Sequence, residues 1–329
     1  MIPFDLDIVA TRGGVIESRH RVHAVAVAAD GRLVASARDP DLSTFWRSCA
    51  KPFQLMPLLE GGGFDALGWG TRELALACAS HGGEPEHVDL ARSMLDTLGL
   101  EEGDLACGPH EPLAARGASL LRQSGERATR LHNNCSGKHA AMLAAARRRK
   151  VATAGYEQPR HPVQLACAQS VSTWTGVPVE SLVVAVDGCG VPVFGLPLAK
   201  MAQAYGRLAA GARRGDEVPA RILAAIVAHP QLLGGTERFD TVLLEETEGR
   251  VFAKVGAEGV HTVALLDRGI GLAVKVEDGA SRAQHAAILR ALQLLDALPA
   301  VLPPRLENFL HHPVRNTRNE VVGSIGPVA

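Results

Sequence analysis

The chain has 329 residues, 47% of them apolar, and its 34 basic and 35 acidic residues leave a formal net charge of −1. That apolar share supports a large core, and the interspersed charges offer no basic stripe for nucleic acid and no charged tail for a membrane surface. No apolar run approaches the roughly 18 residues of a membrane span. Asp5 and Asp7 stand where a secretory signal needs a basic start and an apolar stretch. The sequence therefore predicts one cytoplasmic domain covering residues 1–329.

Residues 22–36, VHAVAVAADGRLVAS, alternate around Asp30-Gly31 and predict a β-hairpin. From about 48 to 230 the pattern is helical. Ala/Leu-rich segments at 71–79, 85–98, 138–149, 162–174, 198–212 and 216–228 are separated by Gly-, Pro- and Asn-rich breaks. The runs 241–246, 251–255, 260–266 and 270–276 then read as strands of an antiparallel meander. A closing helix is expected over 281–297, with Ser281 as its N-cap. Strands near both ends with helices between predict an α+β fold: an antiparallel sheet of N- and C-terminal strands, with a mainly helical middle region inserted.

Six cysteines lie far apart and no CxxC occurs, which excludes a local zinc knuckle or a thioredoxin-type pair. Cys78, Cys107 and Cys167 read as buried apolar thiols. Only six of the basic residues are lysines: Lys51, Lys138, Lys150, Lys200, Lys254 and Lys275. Buried lysine can lose its proton and arginine cannot, so each lysine is a candidate for chemistry.

Ser48-Cys49-Ala50-Lys51 puts a hydroxyl and an amine three residues apart, on one helical face. A serine is a poor nucleophile without a base beside it, and a desolvated lysine can be that base. A surface Ser and Lys at a helix start is the plainer reading. Pro52 and Pro57 predict a helix that is short, kinked or begins near Ser48. Ser80-His81-Gly82-Gly83 ends one helix and precedes another. Ser80 there is either a cap or a catalytic hydroxyl, and His81 and His87 lack regular metal-ligand spacing. Asn133-Asn134-Cys135-Ser136-Gly137-Lys138-His139 opens a helix whose free N–H groups suit an anion, or form an elaborate cap. Asp187-Gly188-Cys189-Gly190 forms a tight turn after an apolar run. Lys254 lies in a β-rich run just before Gly256, facing either solvent or a closely approaching ligand.

Taken in order, RSCAKPFQ, CASHGGEPEHV, NNCSGKHAAML, YEQPRHPVQ, DGCGVPVF and AKVGAEGV resemble the bacterial asparaginases of the serine–lysine, zinc-binding type, over roughly residues 8–290. They do not resemble the threonine-nucleophile asparaginases, and the last thirty residues add nothing to the likeness. The resemblance implies a fold similar to serine β-lactamases and glutaminases. It also implies two pairs, Ser48 with Lys51 and Ser80 with Lys254, within a few ångströms of one another. It implies a zinc site of Cys135, Lys138 and Cys189. The substrate would be L-asparagine, its α-carboxylate met by Arg47 or by the helix start that carries His139. Its α-ammonium would be met by Asp187 in the turn with Gly188. A homodimer is the commonest assembly for such a chain. Other readings are a β-lactamase-like or glutaminase-type hydrolase, and a zinc-dependent binding or regulatory protein on an inactive hydrolase fold.

Overall fold

The computed structural model describes residues 2–3 and 5–328. In chain order, strands β1 (Ile2–Pro3), β2 (Ile8–Arg12), β3 (Val15–His20), β4 (Val22–Ala28), β5 (Leu33–Ala37) and β6 (Ser43–Phe45) precede a 3-10 turn, Arg47–Ala50. Helices α1 (Lys51–Glu60), α2 (Thr71–Cys78), α3 (Pro85–Thr97), α4 (Ala115–Ser124), α5 (Ser136–Arg148) and α6 (Pro162–Thr175) follow. A hairpin of β7 (Val183–Val186) and β8 (Pro192–Pro197) leads to α7 (Leu198–Arg214), α8 (Glu217–Ala228), α9 (Pro230–Leu233) and α10 (Phe239–Glu246). The chain closes with β9 (Val251–Val255), β10 (Val260–Leu265), β11 (Ile270–Val276), α11 (Ser281–Leu294), α12 (Pro304–Leu310), β12 (His312–Arg315) and β13 (Val321–Pro327). Among the described residues no helix is long and apolar enough to cross a membrane.

These elements fall into two units, each described in turn. One comprises residues 1–49, 196–213 and 242–329. Its larger sheet has the order β1-β5-β4-β11-β10-β9, antiparallel except where β1 meets β5. The expected hairpin turns at Asp30-Gly31, where Gly31 takes a positive φ of 94° and Asp30 accepts from the Arg32 N–H. The meander pairs with it, so that Val25 faces Ala273. All six residues of β10 are buried, so both faces of the sheet are covered. Helix α7 lies against backbone: a Cβ on Gly271 would stand 1.8 Å from the Ala202 carbonyl oxygen. Helix α11 packs against β10 and β11, and also against β2 and β13 of a second sheet, β12-β13-β2-β3.

Two local expectations change. Residues 241–246 belong to helix α10. Leu243, Leu244, Glu245 and Glu246 are strong helix formers, and the helix gives way just before Glu248, which takes a positive φ of 50°. Ser281 is the first residue of α11 and does not cap it. The position before it is Ala280, whose N–H is taken by the Asp278 carboxylate.

The other unit, residues 50–195 and 214–241, is mainly helical. Its centre is α5, buried at every position from Ser136 to Ala146, as a helix inside a core must be. Helices α1, α2, α3 and α6 pack around it. Pro52 sits in the first turn of α1, where its missing N–H costs nothing, and Pro57 lies inside it.

Candidate active site

In the sheet unit, Ser48 lies half-buried on the 3-10 turn Arg47–Ala50, three residues before Lys51 along the chain. Arg47 has φ 53°, the left-handed region that a long side chain avoids, and it sits immediately before the serine. The turn is fastened from two sides. Cys49 Sγ donates to the Lys254 carbonyl at 3.0 Å, and Tyr205 Oη donates to the Cys49 carbonyl at 2.8 Å. Tyr205 is itself wedged between Trp46, edge to face at 6.2 Å, and Phe252, stacked at 5.7 Å. The fit is close. A Cβ on Gly256 would meet the Val260 carbonyl oxygen at 2.9 Å and Cys49 Sγ at 3.0 Å. The segment carrying Ser48 is thus held on the strand carrying Lys254. Lys254 is fully buried, not solvent-facing, and its Nζ donates to the Val255 carbonyl at 3.0 Å.

In the helical unit, Lys51 opens α1 and is 1% exposed. Its Nζ donates to the carbonyls of Ala79 and Asn134 and lies 2.9 Å from Ser80 Oγ. Burial lowers its pKa; Cys135 opposes this, and the charge of Lys138 assists it. When Lys51 is neutral it has two N–H donors. The two carbonyls can take only those donors, which turns the lone pair toward the Ser80 hydroxyl.

The Ser80 loop is anchored by its neighbour. His81 Nδ1 accepts from Gly83 N–H, so its Nε2–H donates to Ser136 Oγ at 2.9 Å, at the start of α5. His87 Nδ1 accepts from Glu84 N–H, and its Nε2–H donates to the Gln231 carbonyl at 2.9 Å. The two rings stack at 4.9 Å. Both nitrogens of each ring are thus engaged, fastening the backbone of Gly83, Glu84 and Gln231 and the Ser136 side chain.

Cys135, Lys138, Asp187 and Cys189 converge in the same unit. Lys138 Nζ lies 3.1 Å from Cys189 Sγ, and all three ligand candidates are buried. The Cys135 thiol hydrogen-bonds to Cys189. This lowers Cys189 to about 5 against the effect of burial, and raises Cys135 to about 12 with the help of burial. Burial works against the Lys138 charge, but Cys189, Cys135 and Asp187 outweigh it and raise its pKa. Gly188 is exposed, and its N–H is taken by the Asp187 carboxylate at 2.9 Å. Among the described residues no three His, Cys, Asp or Glu side chains group to hold a metal; the third donor here is a lysine. All six cysteines are buried, and none of them forms a disulfide.

His139, one residue beyond Lys138, is fully buried, and burial, then the Lys138 charge, lowers its pKa to about 3. Its Nδ1 lies 2.6 Å from Tyr156 Oη. Cys49, Asn134, Tyr156, Tyr205 and Gly256 are contributors that sequence spacing leaves out. RSCAKPFQ, NNCSGKHAAML, YEQPRHPVQ and AKVGAEGV contain four of them, without a local pattern to single them out, and Tyr205 lies outside these segments.

A buried lysine set on a serine hydroxyl, in an α+β fold, fits the class of amide hydrolases. The chain belongs to the L-asparaginase II family, whose model matches residues 8–327. The match runs past residue 290, because most of the last thirty residues belong to the fold: Ile325 in β13 pairs with Ala10 in β2. No curated protein matches the sequence. Among solved structures the chain is similar to native Mglu, at 15% identity and TM-score 0.45, covering 83% of this chain and 63% of Mglu's length. It is also similar to a probable glutaminase from Bacillus subtilis complexed with 6-diazo-5-oxo-L-norleucine, at 13% identity and TM-score 0.40, covering 84% of each chain.

Proposed function

We propose that the protein is a cytoplasmic, homodimeric L-asparaginase that hydrolyses the side-chain amide of L-asparagine through an acyl-enzyme. Family membership supports the reaction class, and the buried Lys51, whose Nζ lies 2.9 Å from the Ser80 hydroxyl and which follows Ser48 by three residues, carries the reading. Neutral Lys51 takes the proton of Ser48 Oγ as that oxygen bonds to the amide carbon. Backbone N–H groups near Ser48 stabilise the oxyanion. The carbon–nitrogen bond then breaks, and the leaving nitrogen takes a proton and departs as ammonia. Water adds to the ester and releases aspartate, and Ser48 recovers its proton. Ser80 and Lys254 serve as the second pair, passing protons and placing a second cation near Lys51. Arg47 or the α5 start with His139 meets the α-carboxylate, and Asp187 with Gly188 meets the α-ammonium.

Zinc fits the donor chemistry of Cys135, Lys138 and Cys189, two sulfurs and a nitrogen, with Lys138 Nζ 3.1 Å from Cys189 Sγ. Holding it requires the two sulfurs as thiolates and the lysine as a neutral amine. Bound there, it would supply a fixed positive centre that supports the pocket and orients substrate. The test is ammonia release from asparagine and from glutamine by purified protein, beside Ser48→Ala. Turnover of asparagine that is lost in the variant supports the reading. Wild-type protein inert on asparagine, or a variant as active as wild type, would overturn it.

A further inference from the structure

Tyr156 stands in a loop that the mechanism above does not use. Its side chain is 1% exposed, and its ring meets that of His139 edge to face, with centroids 5.6 Å apart. Its phenol oxygen accepts from Ala106 N–H at 2.9 Å and lies 2.6 Å from His139 Nδ1. Gln164 holds the same residue from behind, donating from Nε2 to the Tyr156 carbonyl at 2.9 Å.

Counting donors and acceptors fixes the proton. The phenol oxygen already accepts from Ala106, and no other acceptor for the phenol hydrogen lies in reach among the described residues. If Nδ1 carried the ring proton, the phenol O–H and the Nε2 lone pair would both be buried without partners. If the phenol donates to a bare Nδ1, only Nε2–H is left over. The second arrangement has one more hydrogen bond in a buried place, where an unmade bond is costly. The Nε2 atom is buried and has no partner among the described residues. A buried polar group left this way calls for an explanation.

We propose that Tyr156 is a positioning residue for the substrate. It fixes His139 as the Nε2–H tautomer and keeps that N–H ready for an acceptor oxygen on the ligand, the α-carboxylate of asparagine. The proposal rests on the reading of His139 as part of the substrate pocket. Its physical basis is preorganisation. The donor has given up its water in folding, so the ligand's oxygen gains a bond without displacing one. The backbone of His139 adds to the fixity, its N–H bonding to the Cys135 carbonyl at 3.0 Å.

The experiment uses the full chain labelled with 15N-histidine, with His139→Gln assigning the ring by the signals it removes. Long-range 1H–15N spectra distinguish a bare ring nitrogen from a protonated one. Wild-type protein should show His139 with Nδ1 bare and Nε2 protonated, and the Nε2–H resonance should move when aspartate binds. Tyr156→Phe should turn the ring into a tautomer mixture and raise KM for asparagine about tenfold, with kcat within about twofold. In the His139→Gln background, where the amide supplies its own donor, the same change should move KM by less than about twofold. A protonated Nδ1 in wild type would overturn the proposal, and so would an unmoved resonance with aspartate. A changed ring with an unchanged KM, or an equal KM rise in both backgrounds, would overturn it as well. If Tyr156→Phe does not fold, the two wild-type spectra decide. Absence of asparagine turnover in wild type removes the functional reading instead, and the ring spectrum still reports the tautomer.

Discussion

Cys49 Sγ lies 3.0 Å from the carbonyl oxygen of Lys254, so the turn of one candidate catalytic residue is bonded to the strand of another. Gly256 leaves the space for this contact. Cys49→Ala removes one buried hydrogen bond and should cost about 1 kcal/mol of stability. Gly256→Ala forces a methyl against a carbonyl and a sulfur, and should cost about 1–3 kcal/mol and lower activity more than Cys49→Ala does. Urea unfolding midpoints and asparagine turnover measured side by side check the order.

Lys51 gives a pH prediction. Burial lowers its pKa from 10.5, so the neutral base becomes available at a lower pH than for a free lysine. The kcat/KM profile should therefore rise with pH along a limb that lies below 10.5. Lys51→Met should remove that limb and lower turnover by roughly 1000-fold or more while preserving the circular dichroism of wild type. A profile with the same limb in Lys51→Met would assign the titration to another group.

The metal reading makes a separate prediction. Cys135→Ala or Cys189→Ala should abolish zinc binding and raise KM more than it lowers kcat. Metal-stripped, folded protein should keep turnover with weakened affinity. Total loss of turnover at every asparagine concentration, restored by zinc alone, would place the metal ahead of the serine.

Acid stability has its own signature. Glu86 is held at about 2, below its ordinary 4.5, chiefly by two hydrogen bonds from Arg116 at 2.8 and 2.9 Å. A lowered carboxylate pKa contributes stability above 4.5 and loses it as pH falls from 4.5 toward 2. Both side chains are about half exposed, so water and salt hold the contribution to about 0.2–1 kcal/mol. Arg116→Ala should lower the urea midpoint at pH 7 by that small amount and leave it nearly unchanged at pH 2.

Much of this was legible in the residues, and the remainder fails for definable reasons. The hairpin alternates about Asp30-Gly31, and the strands within 251–276 are β-rich runs with turn residues between them. The second sheet is obscured because β3, VIESRH, is mostly exposed and carries charge, so it lacks an apolar face. Residues 241–246 combine a β-branched start with Leu and Glu, and the helical preference of the latter wins. Ser48-x-x-Lys51 is readable because it is local. Lys51's approach to Ser80 and Tyr156's hold on His139 join residues 29 and 17 positions apart, which no local period reports.

The pairing of β4 with β11 sets the order of events during synthesis. Val25 leaves the ribosome 248 residues before its partner Ala273. At roughly 5–20 residues per second, the opening hairpin waits for on the order of 10–50 seconds with an unpaired apolar edge. Helices α1 to α6, rich in local contacts, emerge within that interval and can pack first. A nascent chain arrested near residue 240 should therefore hold folded helices beside an exposed β4, a natural substrate for a holding chaperone.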